Sequence, residues 1–86
     1  MTVDSEVSAE CKVWPNPVEN ELNVLWPNGI KELRIYNTLG ECLLLEEFRQ
    51  FQEAFSKDLV MLKSGIYYVS IKAFNNSIYT HKLIKP

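Results

Sequence analysis

The sequence predicts an all-β fold, a small antiparallel β-sandwich of about seven strands. Three observations lead to it. Short alternations of apolar and polar residues recur along the chain, and turn signals separate them at spacings of roughly 8–12 residues. The longest alternation lies in residues 62–72, a stretch that opens with the turn signal Lys63-Ser64-Gly65. In it Tyr67, Val69 and Ile71 share one face, while Tyr68, Ser70 and Lys72 share the other. That is the period of a central strand packed on one side and wetted on the other.

Residues 1–10 are polar, acidic and aperiodic and read as a leader or linker, with the folded domain expected over residues 11–86. Residues 11–14 form a short strand, ended by Pro15-Asn16-Pro17, whose rings fix two φ angles and remove two ladder donors. Residues 20–26 alternate, with Leu22, Val24 and Trp26 on one face. Pro27-Asn28-Gly29 predicts a hairpin turn into residues 30–37, where Leu33 and Ile35 face in and Glu32, Arg34 and Tyr36 face out. Asn37-Thr38-Leu39-Gly40 is the next turn, with Gly40 where positive φ is needed, and residues 42–46 form a strand. Phe48, Phe51 and Phe55 have helical spacing, but the stretch lacks a capping residue and lies between strands. It is assigned to a loop followed by a strand over about 54–59. Gly65 is expected at positive φ at the entry to the central strand. Phe74-Asn75-Asn76-Ser77 suits asparagine's tolerance of left-handed backbone. Residues 77–84 form the last strand, with Tyr79, His81 and Leu83 on one face and Thr80 and Lys82 on the other. The sum is an immunoglobulin-like sandwich.

At 86 residues the chain is one small domain, able to bury only about 60–65% of its unfolded surface. A formal charge of −2 gives no footprint for a polyanion, so no nucleic acid is expected. No run approaches the ~18 apolar residues of a membrane span, so no membrane insertion is expected, and the N-terminus lacks the basic and apolar regions of a signal peptide. Cys11 and Cys42 lack metal-ligand spacing and the lone His81 has no third ligand near it, so no metal is expected. The cysteines read as two free, half-buried thiols, with a disulfide as the alternative in an exported protein. Hydrolase, zinc-protease, phosphate-loop and dinucleotide motifs are all missing. No catalytic residue, cofactor or enzyme activity is expected, which leaves binding, structure or addressing.

Several stretches say more together than singly. Val13-Trp14-Pro15-Asn16-Pro17-Val18 precedes Glu21-Leu22-Asn23-Val24, and Ile35-Tyr36-Asn37-Thr38-Leu39-Gly40-Glu41 follows. Next come Asp58-Leu59 to Leu62, Ser64-Gly65-Ile66-Tyr67, and the closing Thr80-His81-Lys82-Leu83-Ile84-Lys85. In this order and spacing they resemble the type A C-terminal sorting domains of the type IX (Por) secretion system, over residues 13–86. Departures are Trp14 for the usual Tyr or Phe, Lys57 for a small apolar residue, and Asn75-Asn76 for Asn-Gly; residues between Leu45 and Phe55 fit no motif.

The resemblance implies an address label carried behind an N-terminal cargo that lies outside this chain. Its partners would be the type IX translocon and a sortase-like cysteine peptidase cutting before the domain. The route would be the periplasm in transit, then the cell surface or the medium. Ser5, Glu6, Val7, Ser8, Ala9 and Glu10 would be the cleavage linker. Pro15, Asn16, Pro17, Tyr36, Asn37, Gly40, Glu41, Gly65 and Tyr67 would be motif residues with structural roles. Lys82, Leu83, Ile84 and Lys85 would carry translocon recognition, by strand addition if the last strand lies at a sheet edge. Removing residues 83–86 is expected to stop export yet cost little stability, about 2–3 kcal/mol if only Leu83 is buried. The competing reading is a fibronectin- or immunoglobulin-like accessory module that binds carbohydrate or a surface partner. It predicts Trp14, Trp26 and Tyr68 exposed together on one face.

Overall fold

The computed structural model describes residues 10–86. Seven strands follow one another with no helix among the described residues: β1 (Lys12–Trp14), β2 (Glu21–Leu25), β3 (Ile30–Tyr36), β4 (Cys42–Glu47), β5 (Ala54–Asp58), β6 (Gly65–Ala73) and β7 (Ile78–Lys85). They form a three-stranded sheet in the order β1-β2-β5 and a four-stranded sheet in the order β4-β3-β6-β7, antiparallel throughout. The strands match the expected alternations, and β6 is central between β3 and β7.

The core lies between the sheets because each strand presents one apolar row. Leu22 and Val24 come from β2, Leu33 and Ile35 from β3, Tyr67, Val69, Ile71 and Ala73 from β6, and Leu83 from β7, all buried. Burying each large side chain stabilises by roughly 1.5–3 kcal/mol. Three core residues fall outside simple alternation. Ile30 is out of phase with Leu33 and Ile35, yet it is fully buried because the register shifts between Ile30 and Glu32. Val18 and Leu59 are buried from loops, and the Leu59 N–H donates to the Asn20 carbonyl at 2.6 Å.

The expected first hairpin is absent. Pro27-Asn28-Gly29 does turn, with the Gly29 N–H donating to the Trp26 carbonyl at 2.9 Å, but β2 and β3 belong to different sheets. The corner is held from elsewhere: the Trp26 N–H donates to Glu53 O and the Ile30 N–H to Gln52 O, both at 2.7 Å. Gly29 has φ +87°, and a Cβ there would run into the Phe51 ring. The phenylalanines at helical spacing are likewise divided. Phe48 meets Phe55 edge-to-face across the sandwich at 4.9 Å, and Phe51 lies against Phe74 at 6.1 Å.

Lys57 stands where a small apolar residue was expected, and the structure gives its reason. It lies on the inward row of β5 opposite Leu22, and its Nζ reaches Glu46 Oε2 of β4 at 2.9 Å, tying the two sheets together at their rim.

Candidate functional site

The site is best built from the tail of β7. This strand lies at the edge of its sheet, paired only with β6, from Lys72↔Ile78 to Gly65↔Lys85. Alternation sends Leu83 fully into the core and leaves Lys82 and Ile84 on the outward face. Lys85 is half-buried on the inward row. Of the four residues expected to meet a translocon, Lys82 and Ile84 are therefore the two that face solvent on one surface.

The tail's edge is partly occupied. Asn16 Oδ1 accepts the Ile84 N–H at 3.0 Å, Asn16 Nδ2 donates to the Lys82 carbonyl at 3.1 Å, and the Val18 N–H donates to Ile84 O at 2.8 Å. One amide side chain thus stands in for a strand, which two motifs 66 residues apart could not reveal by spacing. Asn16 Nδ2 also lies 3.4 Å from His81 Nε2, and the Tyr79 hydroxyl lies 3.2 Å from His81 Nδ1. Ser64 Oγ donates to the Pro86 carbonyl at 2.7 Å. Leu83 is the one buried residue of 83–86, as the expectation of a small stability loss assumed, but the segment also makes three bonds to the rest of the domain besides the β6 ladder.

The other motif residues support the frame. Asn37 Oδ1 accepts the N–H groups of Leu39 (2.9 Å) and Glu41 (3.0 Å), and its Nδ2 donates to Glu41 Oε1 at 2.7 Å. Gly40 closes this turn at φ +87° and Gly65 enters β6 at φ +153°, both positive as expected. Tyr67 is buried, and its hydroxyl donates to the Lys63 carbonyl at 2.7 Å. Tyr36 lies on the outward face across from Tyr68. A hydrogen bond with Tyr36, then the contact with Glu32, raises the Arg34 guanidinium above its ordinary range. The linker residues Ser5, Glu6, Val7, Ser8 and Ala9 lie outside the described residues, and Glu10 is exposed.

The cysteines are free thiols, as expected, but neither is half-buried: Cys11 is buried and Cys42 exposed. Burial pushes the Cys11 thiol up to about 12. Burial also raises Tyr79, with lesser contributions from Cys11 and Glu10. Among the described residues, no three His, Cys, Asp or Glu side chains gather to hold a metal ion. Trp26 is buried, Trp14 lies outward on the three-stranded sheet, and Tyr68 lies outward on the four-stranded one. The aromatic face expected of a carbohydrate-binding module is not assembled from these three.

Residues 12–86 match the family described as secretion system C-terminal sorting domain. An ulvan lyase, NLR42 of Nonlabens ulvanivorans, is 29% identical over 85 residues, which cover 98% of this chain and 16% of the lyase. The chain thus spans about a sixth of that relative's length. Among solved structures, CopC from Methylosinus trichosporium OB3b superposes with a TM-score of 0.54 at 12% identity, covering 88% of this chain and 93% of CopC. At that identity the likeness concerns the fold alone.

Proposed function

The chain belongs to the C-terminal sorting domains of the type IX secretion system, and from that premise we propose how it serves as an address. Membership makes it a sorting signal that works with the type IX system in export across the outer membrane, to the cell surface or the medium. In the finer reading, residues 11–86 are the sorting domain and residues 1–10 the linker to an N-terminal cargo. The cargo crosses the periplasm first, the exposed tail is read by the translocon, and a sortase-like cysteine peptidase cuts within residues 5–10. The domain itself performs no catalysis. The observation that carries this reading is the match over residues 12–86, within which Asn16 and Ser64 of the motif stretches bond the β7 tail. A fixed shape suits a translocon that handles many cargoes, because a rigid surface binds without first paying to be ordered.

The relative named as an ulvan lyase supports a cargo of the secreted-enzyme kind, since the match falls on a small part of that protein. The test is transplantation. Residues 1–86, fused behind a signal peptide and an inert reporter in a host with the type IX system, should deliver the reporter outside the cell. Export that is unchanged in a host lacking the translocon would overturn the reading. Mass spectrometry of the exported reporter locates the cut, and an uncut product would remove the peptidase from the scheme.

A further inference from the structure

The outward face of a half-wetted antiparallel sheet normally carries polar residues. On the four-stranded sheet Glu32, Glu47, Ser70, Lys72 and Thr80 keep one half of that face polar, but the other half is not. Leu43 and Leu45 of β4 are 46% and 47% exposed, Ile66 and Tyr68 of β6 are 42% and 39%, and Ile84 of β7 is 41%. The register makes them neighbours. Arg34 pairs with Leu45, Tyr36 with Tyr68, Tyr68 with Lys82, and Ile66 with Ile84. An apolar and aromatic patch therefore runs over β3, β6 and β7 through Tyr36, Tyr68, Ile66 and Ile84, and on β4 it is flanked by Leu45 opposite Arg34 and by Leu43 at the register shift beside Tyr36.

Its charge is lopsided. Lys82, beside Tyr68, makes no ion pair among the described residues, whereas Arg34 is already engaged by Glu32. An unpaired ammonium at the rim of an apolar patch selects a partner with a carboxylate facing it. The patch is also continuous with the tail: Lys82 and Ile84 are the outward residues of the segment assigned to recognition.

We propose that this face, and not the terminal strand alone, is the docking surface for a translocon protein whose own surface is apolar at its centre and carries a carboxylate opposite Lys82. The proposal rests on the sorting function above and names the partner's chemistry. Tyr36, Leu43, Leu45, Ile66 and Tyr68 thereby become recognition residues, though they lie up to 48 positions before Ile84 in the chain.

The test uses the reporter fusion in the type IX host. A variant carrying Leu45→Thr, Ile66→Thr and Tyr68→Thr places strand-compatible β-branched residues at outward positions, and a Trp14→Thr, Leu25→Thr variant alters the opposite outer face. Lys82→Glu inverts the rim charge at an exposed position, and so tests the proposal even if the triple variant fails to fold. With melting temperatures matching the parent, the triple variant and Lys82→Glu should each be exported at least about tenfold less, the reporter accumulating in the periplasm, while the opposite-face variant is exported normally. Parental export of the folded triple variant or of Lys82→Glu would overturn the proposal. So would a parent domain that sediments as a dimer while the triple variant is monomeric and fully exported, since the patch would then be a contact between copies. Failure of the unmodified domain to export its reporter would instead strike the sorting function itself.

Discussion

The two outer faces of this sandwich differ although their strands were built by the same alternation. On the three-stranded sheet the outward row exposes Trp14 and Leu25 but is otherwise polar and largely bonded to itself. Ser56 Oγ donates to Asn23 Oδ1 at 2.8 Å, Asn23 Nδ2 reaches the Trp14 carbonyl at 3.5 Å, and Glu21 and Asp58 stand opposite one another in solvent. On the four-stranded sheet one half of the outward face, from Leu43 and Leu45 of β4 to Ile66, Tyr68 and Ile84, leaves large apolar side chains in solvent. Folding requires only the shared inner layer, so apolar residues on a second face are not explained by the core. The contrast separates what holds the domain together from what it presents.

The largest expected effect concerns the strand that does both. Removing residues 83–86 deletes the buried Leu83, the end of the β6–β7 ladder, and the bonds from Asn16, Val18 and Ser64. With roughly 2 kcal/mol from the leucine and 0.5–1.5 from each bond, the loss should reach about 4 kcal/mol or more. Against a total near 5–15 kcal/mol, export and protease resistance should fail together. A truncated domain that melts like the parent would mean that the tail is outward signal only.

Next comes the corner between the sheets. Gly29→Ala and Gly40→Ala place a Cβ on backbones with the same φ of +87°, but nothing lies within 4 Å at Gly40, whereas Phe51 and Phe74 crowd Gly29. Denaturant titrations should show a loss of about 1 kcal/mol at Gly40 and about 2 at Gly29, where Phe51 must also leave its place. Equal losses would mean that the corner does not depend on that packing.

Asn16→Ala tests the surrogate strand on the tail's edge. It should cost about 1 kcal/mol and speed exchange of the Ile84 amide, leaving the outward patch in place. Unchanged exchange would show that Val18 alone secures the edge.

Cys11 gives a pH signature to the buried layer. Because burial raises its thiol from the ordinary 9.0 to about 12, the folded form retains a proton that the unfolded form releases. This contribution to stability is complete below pH 9.0 and should be lost as pH rises towards about 12. Comparison of melts over that window with Cys11→Ala should show a shallower fall in the variant. In native protein, Cys42 should react quickly with a thiol reagent and Cys11 only on unfolding. Two fast thiols would place Cys11 on the outside.

The smallest effect is expected at the rim bridge. Lys57 and Glu46 are each 30% exposed, so water screens their attraction. Lys57→Met should change stability by no more than about 0.5–1 kcal/mol, with little left of the difference at high salt. A larger, salt-independent loss would make the bridge a main tie between the sheets.

The sequence by itself determined the seven strands and the face on which nearly every side chain lies, because period-2 alternation is local and survives any choice of partner strand. It also marked Gly40 and Gly65 as positive-φ positions, since only glycine relieves those turns without strain. The address itself was legible from ordered motifs. Only the tertiary structure decided which strands are neighbours. A turn signal at Pro27-Asn28-Gly29 reads alike for a hairpin and for a corner between sheets, and the choice rested on bonds from residues 52 and 53. Burial of Ile30 needed a register shift, and burial of Val18 and Leu59 needed a loop pressed onto the core. The same holds for Asn16 on the tail's edge, for Lys57 with Glu46, and for the patch from Leu45 to Ile84. Each joins residues distant in sequence, and alternation reports which way a side chain faces but not what stands beside it.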